Sequence, residues 1–202
     1  LNHKAVARKF AEERGKKYQE CNLIVAHLGG GISVGAHRKS KIVDVNNALN
    51  GDGPFTPERS GGLPVNQLVE LCFSGKYTKD QLKKMIKGKG GVTAYLGTND
   101  LKEVEQRIKS GDAPAKEVLE AMIYQVAKEI CFLIPAFQAE KIDAIILTGG
   151  ATKCKIIVDG IRKLTAPTGI EVVVYPGGYE MSALRDGALR ILTGEEKELI
   201  YS

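Results

Sequence analysis

Apolar positions along the 202-residue chain follow two rhythms. Between Asn22 and Asn47 the spacing is short. Leu23, Ile24, Val25 and Leu28 form one run, and Ile32, Val34 and Ala36 alternate with Ser33, Gly35 and His37. Ile42, Val43 and Val45 form a third run, broken by Asp44. Period-two spacing bounded by turn residues predicts three short strands joined by two tight turns. Elsewhere apolar residues recur every three or four positions. That spacing predicts a lead-in helix within residues 1–20, with Val6, Phe10 and Tyr18 on one side, and a mainly helical segment over residues 64–140. In that segment Pro64 opens a helix ended by Ser74-Gly75, Thr78 caps one ended by Gly88, and Asn99 or Asp100 caps one reaching Ile108. A long helix from near Pro114 carries Leu119, Met122, Ile123, Val126, Ile130, Leu133, Ile134 and Phe137, with Pro135 kinking its end.

After Lys141 the pattern changes again. Ile142–Leu147 reads as a buried strand running into Thr148-Gly149-Gly150 and a helix from about Lys153 to Leu164. Glu171–Tyr175 reads as a second strand, followed by Pro176-Gly177-Gly178 and a last helix from Glu180 to Leu192. Strand, glycine turn and helix twice in succession predict an α/β fold with a parallel pair of strands. Both turns would then present backbone N–H groups and a helix N-terminus at the carboxyl edge of the sheet, where ligands bind in such folds. Steric demand alone also favours glycine in tight strand-to-helix turns.

Three stretches carry candidate chemistry. Gly29-Gly30-Gly31 joins the first two predicted strands. A hairpin turn rarely needs three glycines, whereas a loop whose N–H groups face an anion does; a merely flexible turn is the other reading. Ala48–Pro64 is too rich in glycine and proline for regular structure and carries a single arginine, Arg59, which is either solvated or phosphate-facing. Gly88-Lys89-Gly90-Gly91 resembles a Walker loop only superficially, since no Ser or Thr follows the Lys and the glycine spacing is wrong.

Composition narrows the classes. With 43% apolar and 26% charged residues the chain is of ordinary globular type, and its apolar runs are too short to span a membrane. The net charge of +5 is spread along helices among acidic residues and aromatics are 6%, which argues for a solvated surface over a nucleic-acid face. Cys21, Cys72, Cys131 and Cys154 form no C-x-x-C pair, so common zinc patterns are excluded and reduced, mostly buried thiols in a cytoplasmic protein are expected. The first residues read as a charged amphipathic helix and not as a secretory signal. The lack of an initiating Met suggests a start inside a longer protein.

Taken in order, five motifs resemble the acetokinase family, within the acetate and sugar kinase, heat-shock chaperone and actin superfamily. They are His27-Leu28-Gly29-Gly30-Gly31-Ile32-Ser33-Val34, Pro57–Pro64 (PERSGGLP), Gly90–Asp100 (GGVTAYLGTND), Thr148-Gly149-Gly150 and Tyr175–Met181 (YPGGYEM). The third consecutive glycine, the ERSGGLP loop and PGGYEM point to the butyrate and branched-chain acid branch. The resemblance implies a ribonuclease H-like (actin-like ATPase) domain, a mixed sheet that starts with a three-strand antiparallel unit and is flanked by helices. It implies that residues 1–202 are a single C-terminal nucleotide-binding domain whose N-terminal partner domain is absent. The implied reaction is butyrate + ATP = butyryl phosphate + ADP, with ATP/ADP and Mg²⁺ bound, a carboxylate or acyl phosphate as second substrate, and a homo-oligomeric assembly. His27 would donate to the transferring phosphoryl group and Arg59 would grip phosphate oxygens as a planar fork. Glu180 would engage Mg²⁺ through water. Gly29, Gly30 and Gly31 would cradle phosphates, while Gly149 and Gly150 would let the adenosine lie against backbone. Asp44 and His37 have no role in the family pattern and are taken as structural. Other readings stay open: an acetate or branched-chain carboxylate kinase, a non-catalytic nucleotide-binding module of the actin and chaperone type, and a structural fragment that folds and dimerises.

Overall fold

A computed structural model describes residues 1–198. In chain order the elements are α1 (Asn2–Glu13), β1 (Asn22–Leu28), β2 (Ile32–Arg38), β3 (Lys41–Val45), α2 (Val65–Phe73), α3 (Lys79–Ile86), α4 (Gly91–Leu96), α5 (Leu101–Lys109), α6 (Ala113–Phe132), β4 (Ala144–Gly149), α7 (Lys155–Thr165), β5 (Val172–Pro176) and α8 (Glu180–Leu192). The strands form one mixed sheet in the order β3-β2-β1-β4-β5. β1 pairs antiparallel with β2, from Asn22 opposite Arg38 to Leu28 opposite Ile32, and parallel with β4, from Leu23 opposite Ala144 to His27 opposite Thr148. β4 and β5 are parallel.

The central position of β1 explains its composition. Ile24, Ala26 and Leu28 face one layer with Leu119, Met122, Ile123, Val126 and Ile130 of α6 and Ile157 and Ile161 of α7. Leu23 and Val25 face the other, with Val6, Phe10 and Ala11 of α1 and Tyr175 of β5. A strand covered on both faces reads as a nearly continuous apolar run, and that is how β1 and β4 are written. β3 is exposed along its whole length, so its apolar residues support no core.

Several boundaries depart from expectation. The lead-in helix stops at Glu13, because Gly15 takes a left-handed backbone (φ +62°) and the chain restarts as a separate 3₁₀ turn at Tyr18–Glu20. α6 ends at Phe132 rather than bending at Pro135. The proline lacks an N–H and sits in a 3₁₀ turn, Ile134–Phe137, although Leu133 and Phe137 still reach the core. β4 begins two residues later than the apolar run suggests. α4 follows Gly90 unannounced, starting at a glycine with φ +60°. The expected caps are found: Thr78 and Gln81 make a reciprocal capping box, and Asp100 caps α5. Cys21 and Cys154 are buried, Cys131 is partly so, Cys72 is exposed, and all four are free. Among the described residues no helix is long and apolar enough to cross a membrane.

Candidate active site

Because β1, β4 and β5 are parallel, their carboxyl ends lie at one edge of the sheet, each followed by a glycine turn. The turns touch. Gly149 N–H donates to the Gly177 carbonyl at 2.8 Å and Gly177 N–H donates back at 3.3 Å. A Cβ on Gly149 would stand 2.4 Å from the Leu28 carbonyl oxygen, and its φ is +97°. Glycine is therefore required at 149 by the close approach of β1 and by the left-handed backbone. Gly150, beside it, is exposed and a Cβ there would meet nothing within 4 Å.

The first turn is built differently. None of Gly29, Gly30 and Gly31 adopts the left-handed backbone. Side chains crowd them instead: a Cβ would stand 3.3 Å from His27 Nε2 at Gly29, 3.2 Å from a Glu58 carboxylate oxygen at Gly30, and 2.1 Å from an Arg59 guanidinium nitrogen at Gly31. The Gly29 N–H turns back onto the Gly31 carbonyl (3.1 Å). The turn is thus a platform against which three charged or polar side chains lie flat.

Arg59 reaches this platform from the long irregular loop, and residues missed in the sequence hold it there. The buried Thr56 hydroxyl donates to the Gly30 carbonyl (2.6 Å) and accepts from the N–H groups of Glu58 (3.2 Å) and Arg59 (3.0 Å). One hydroxyl therefore ties the glycine turn to the arginine loop. Thr-Pro-Glu-Arg is a side-chain-stabilised turn signature and could have been read as such. The Gly88–Gly91 stretch braces the same loop from behind: Gly88 N–H donates to the Glu58 carbonyl (2.7 Å), and a Cβ on Gly91 would stand 1.9 Å from the Thr56 carbonyl oxygen. One Arg59 guanidinium nitrogen donates to the Ala48 carbonyl, while its buried Nε has no hydrogen-bond partner among the described residues. A buried guanidinium N–H without a partner beside a glycine platform suits an anion.

His27 is the penultimate residue of β1. Burial pushes its pKa down, the Glu180 carboxylate opposes that shift, and the ring is neutral near pH 7. Glu180 itself is exposed at the first position of α8, folded back over Gly178. Glu58, unforeseen as a site residue, adds a carboxylate over Gly30. Among the described residues no three His, Cys, Asp or Glu side chains converge as a metal cage. Mg²⁺ is commonly held by one or two carboxylates together with phosphates and water, and Glu180 and Glu58 are carboxylates of that kind at this edge.

Residues 1–172 match the acetokinase family model. The chain belongs to the acetokinase family. It is 52% identical over 201 residues to a protein named "Probable butyrate kinase" in Listeria monocytogenes serotype 4b (strain CLIP80459), an alignment that takes in 100% of this chain and 56% of that protein. The chain thus spans little more than half the length of the curated relatives it matches. Among solved structures, the acetate kinase of Porphyromonas gingivalis superposes with a TM-score of 0.81 at 22% identity, over 93% of this chain and 53% of that one. A propionate kinase of Francisella tularensis superposes with a TM-score of 0.78 at 25% identity, over 88% and 51%. The fold of this acetokinase-family chain is the expected one, a mixed five-stranded sheet of the actin-like ATPase type flanked by helices.

Proposed function

We propose that this chain is the nucleotide-binding, C-terminal half of a short-chain carboxylate kinase, and that butyrate is its acid. The observation that carries the reading is the meeting of the Arg59 guanidinium and His27 Nε2 on one glycine turn, with the Glu180 carboxylate close enough to His27 to bias its charge. Phosphoryl transfer needs positioning and charge neutralisation more than covalent help. A carboxylate oxygen of the acid attacks the γ-phosphorus of ATP, the new O–P bond forms, and the bond to the β-phosphate oxygen breaks with its electron pair leaving on ADP. Arg59 and the His27 N–H would hold the equatorial oxygens as charge spreads over them, with Gly31 giving the guanidinium its seat. The exposed surface above Gly150 would take the adenosine. Mg²⁺, where bound, would neutralise the phosphates, with Glu180 meeting its water shell.

The choice of butyrate rests on 52% identity to a protein of that name and on the ERSGGLP and PGGYEM motifs. The division into halves rests on the share of the relatives' length covered and on the need to hold acid and ATP on opposite sides of phosphorus. The exposed apolar face of α2, with Val65, Val69 and Phe73, supports a homo-oligomer. The test is hydroxylamine trapping of acyl phosphate with butyrate, isobutyrate and acetate, on the chain alone and on the chain joined to an upstream acetokinase-type domain. The joined protein should turn over butyrate preferentially and the chain alone should not turn over. Turnover by the chain alone would overturn the division, and inactivity of the folded joined protein on all three acids would overturn the kinase reading.

A further inference from the structure

We infer that Asn2 is a positioning residue that fixes which nitrogen of His27 carries the proton. The carboxamide of Asn2, buried at the start of α1, makes contacts to three parts of the site. Its oxygen accepts from the Tyr179 backbone N–H at 2.9 Å, its nitrogen lies 2.6 Å from His27 Nδ1, and the same nitrogen lies 3.4 Å from the Thr148 hydroxyl. A backbone N–H can only donate, so the amide oxygen must face Tyr179 and the NH₂ must face the imidazole. An amide NH₂ also can only donate, so His27 Nδ1 must present its lone pair. The single proton of the neutral ring then sits on Nε2, the nitrogen turned toward Gly29.

Sequence alone offers no hint of this, because Asn2 and His27 are 25 residues apart and belong to different elements. The arrangement also couples parts of the site. Thr148, which accepts from Asn2, donates to the Gly177 carbonyl at 3.0 Å, and Tyr179 directly precedes Glu180. One side chain thereby sets the tautomer of His27 and holds the chain leading into α8. The consequence for chemistry, which rests on the kinase reading above, is that His27 meets the phosphoryl group as a fixed neutral N–H donor.

The test is ¹⁵N–¹H correlation spectroscopy of the histidine side chains of this chain near pH 7, with His27→Gln identifying the His27 signals. The unsubstituted protein should show a protonated, pyrrole-type Nε2 and an unprotonated, pyridine-type Nδ1. Asn2→Asp keeps the acceptor for the Tyr179 N–H but removes the donor, so a proton should appear on Nδ1. Asn2→Ala should give a mixture of tautomers. A proton on Nδ1 in the unsubstituted protein, or an unaltered His27 pattern in either folded variant, overturns the inference. In the joined two-domain protein Asn2→Ala should lower kcat on the order of 10²-fold, the scale of one lost preorganised donor, and leave KM for nucleotide nearly unchanged. A raised KM with unchanged kcat would overturn the positioning role in the reaction. If the joined protein phosphorylates no acid, the kinase reading falls, and the spectra still decide the tautomer assignment.

Discussion

The turn after β1 and the turn after β4 are both written in glycine, and they need it for different reasons. At Gly149 the obstacle is backbone: the Leu28 carbonyl of the neighbouring strand and a φ of +97° leave no space for a side chain. At Gly29–Gly31 the obstacle is side chains, those of His27, Glu58 and Arg59, and the backbone is not left-handed. Glycine at 149 keeps two strands together, while glycine at 31 keeps a guanidinium in place. A run of glycines beside a strand end therefore reports either on the sheet or on the site, and only the neighbours in space tell which.

The difference can be broken by substitution. Gly149→Ala should be the most damaging change, costing about 2–5 kcal/mol of stability from combined backbone strain and overpacking, read from the denaturant midpoint. A loss below about 1 kcal/mol would mean β1 can give way and the two turns are alike. Gly31→Ala should do the converse. The far end of Arg59 can swing aside at little cost in stability, but in the joined enzyme kcat should fall on the order of 10²-fold. A variant that is active yet melts far below the parent would put Gly31 in the same class as Gly149.

Acid should sharpen the contrast further, because the side-chain-built region has a buried imidazole pair behind it. His3 Nε2 lies 2.9 Å from the Ser33 hydroxyl, His3 Nδ1 lies 3.3 Å from His37 Nε2, and His37 Nδ1 lies 2.7 Å from the Tyr18 hydroxyl. Both rings are satisfied in the neutral form when the protons run from Tyr18 toward Ser33: the Tyr18 hydroxyl donates to His37 Nδ1, His37 Nε2–H to His3 Nδ1, and His3 Nε2–H to Ser33. Burial, the largest cause in both, lowers His3 to about 4 and His37 to about 3. The unfolded chain, with histidines near the ordinary value, binds more protons below about pH 6.5, so stability falls as the pH drops from there toward 4. A loss of about 2 kcal/mol per histidine, about 4 kcal/mol for the pair, is expected between pH 6.5 and 4.5, and most of it should be absent in His3→Gln/His37→Gln if that variant folds, the lowered His27 keeping the rest. A flat profile in the parent would show the network to be hydrated. Gly150→Ala should have the smallest effect on stability, within about 0.5 kcal/mol, since its Cβ meets nothing. Nucleotide affinity, measured by calorimetry, should weaken if adenosine rests there.

The sequence by itself determined the strands, the helix caps at Thr78 and Asp100, the parallel β4–β5 pair, the family, and the candidates His27, Arg59 and Glu180. These are local or periodic properties: alternation, capping chemistry and motif order are all carried by near neighbours in the chain. It misplaced the end of α1, where Gly15 outranked a continuing amphipathic pattern, and it gave no sign of α4. Tertiary structure alone decided that Gly149 serves the backbone while Gly31 serves Arg59. It likewise decided that Thr56 and Gly88–Gly91 hold the arginine loop, and that Asn2 and Glu58 stand at the site. Each of those facts is a contact between residues distant in sequence. Such contacts exist only once β1 lies between β2 and β4 and three strand ends are gathered at one edge of the sheet.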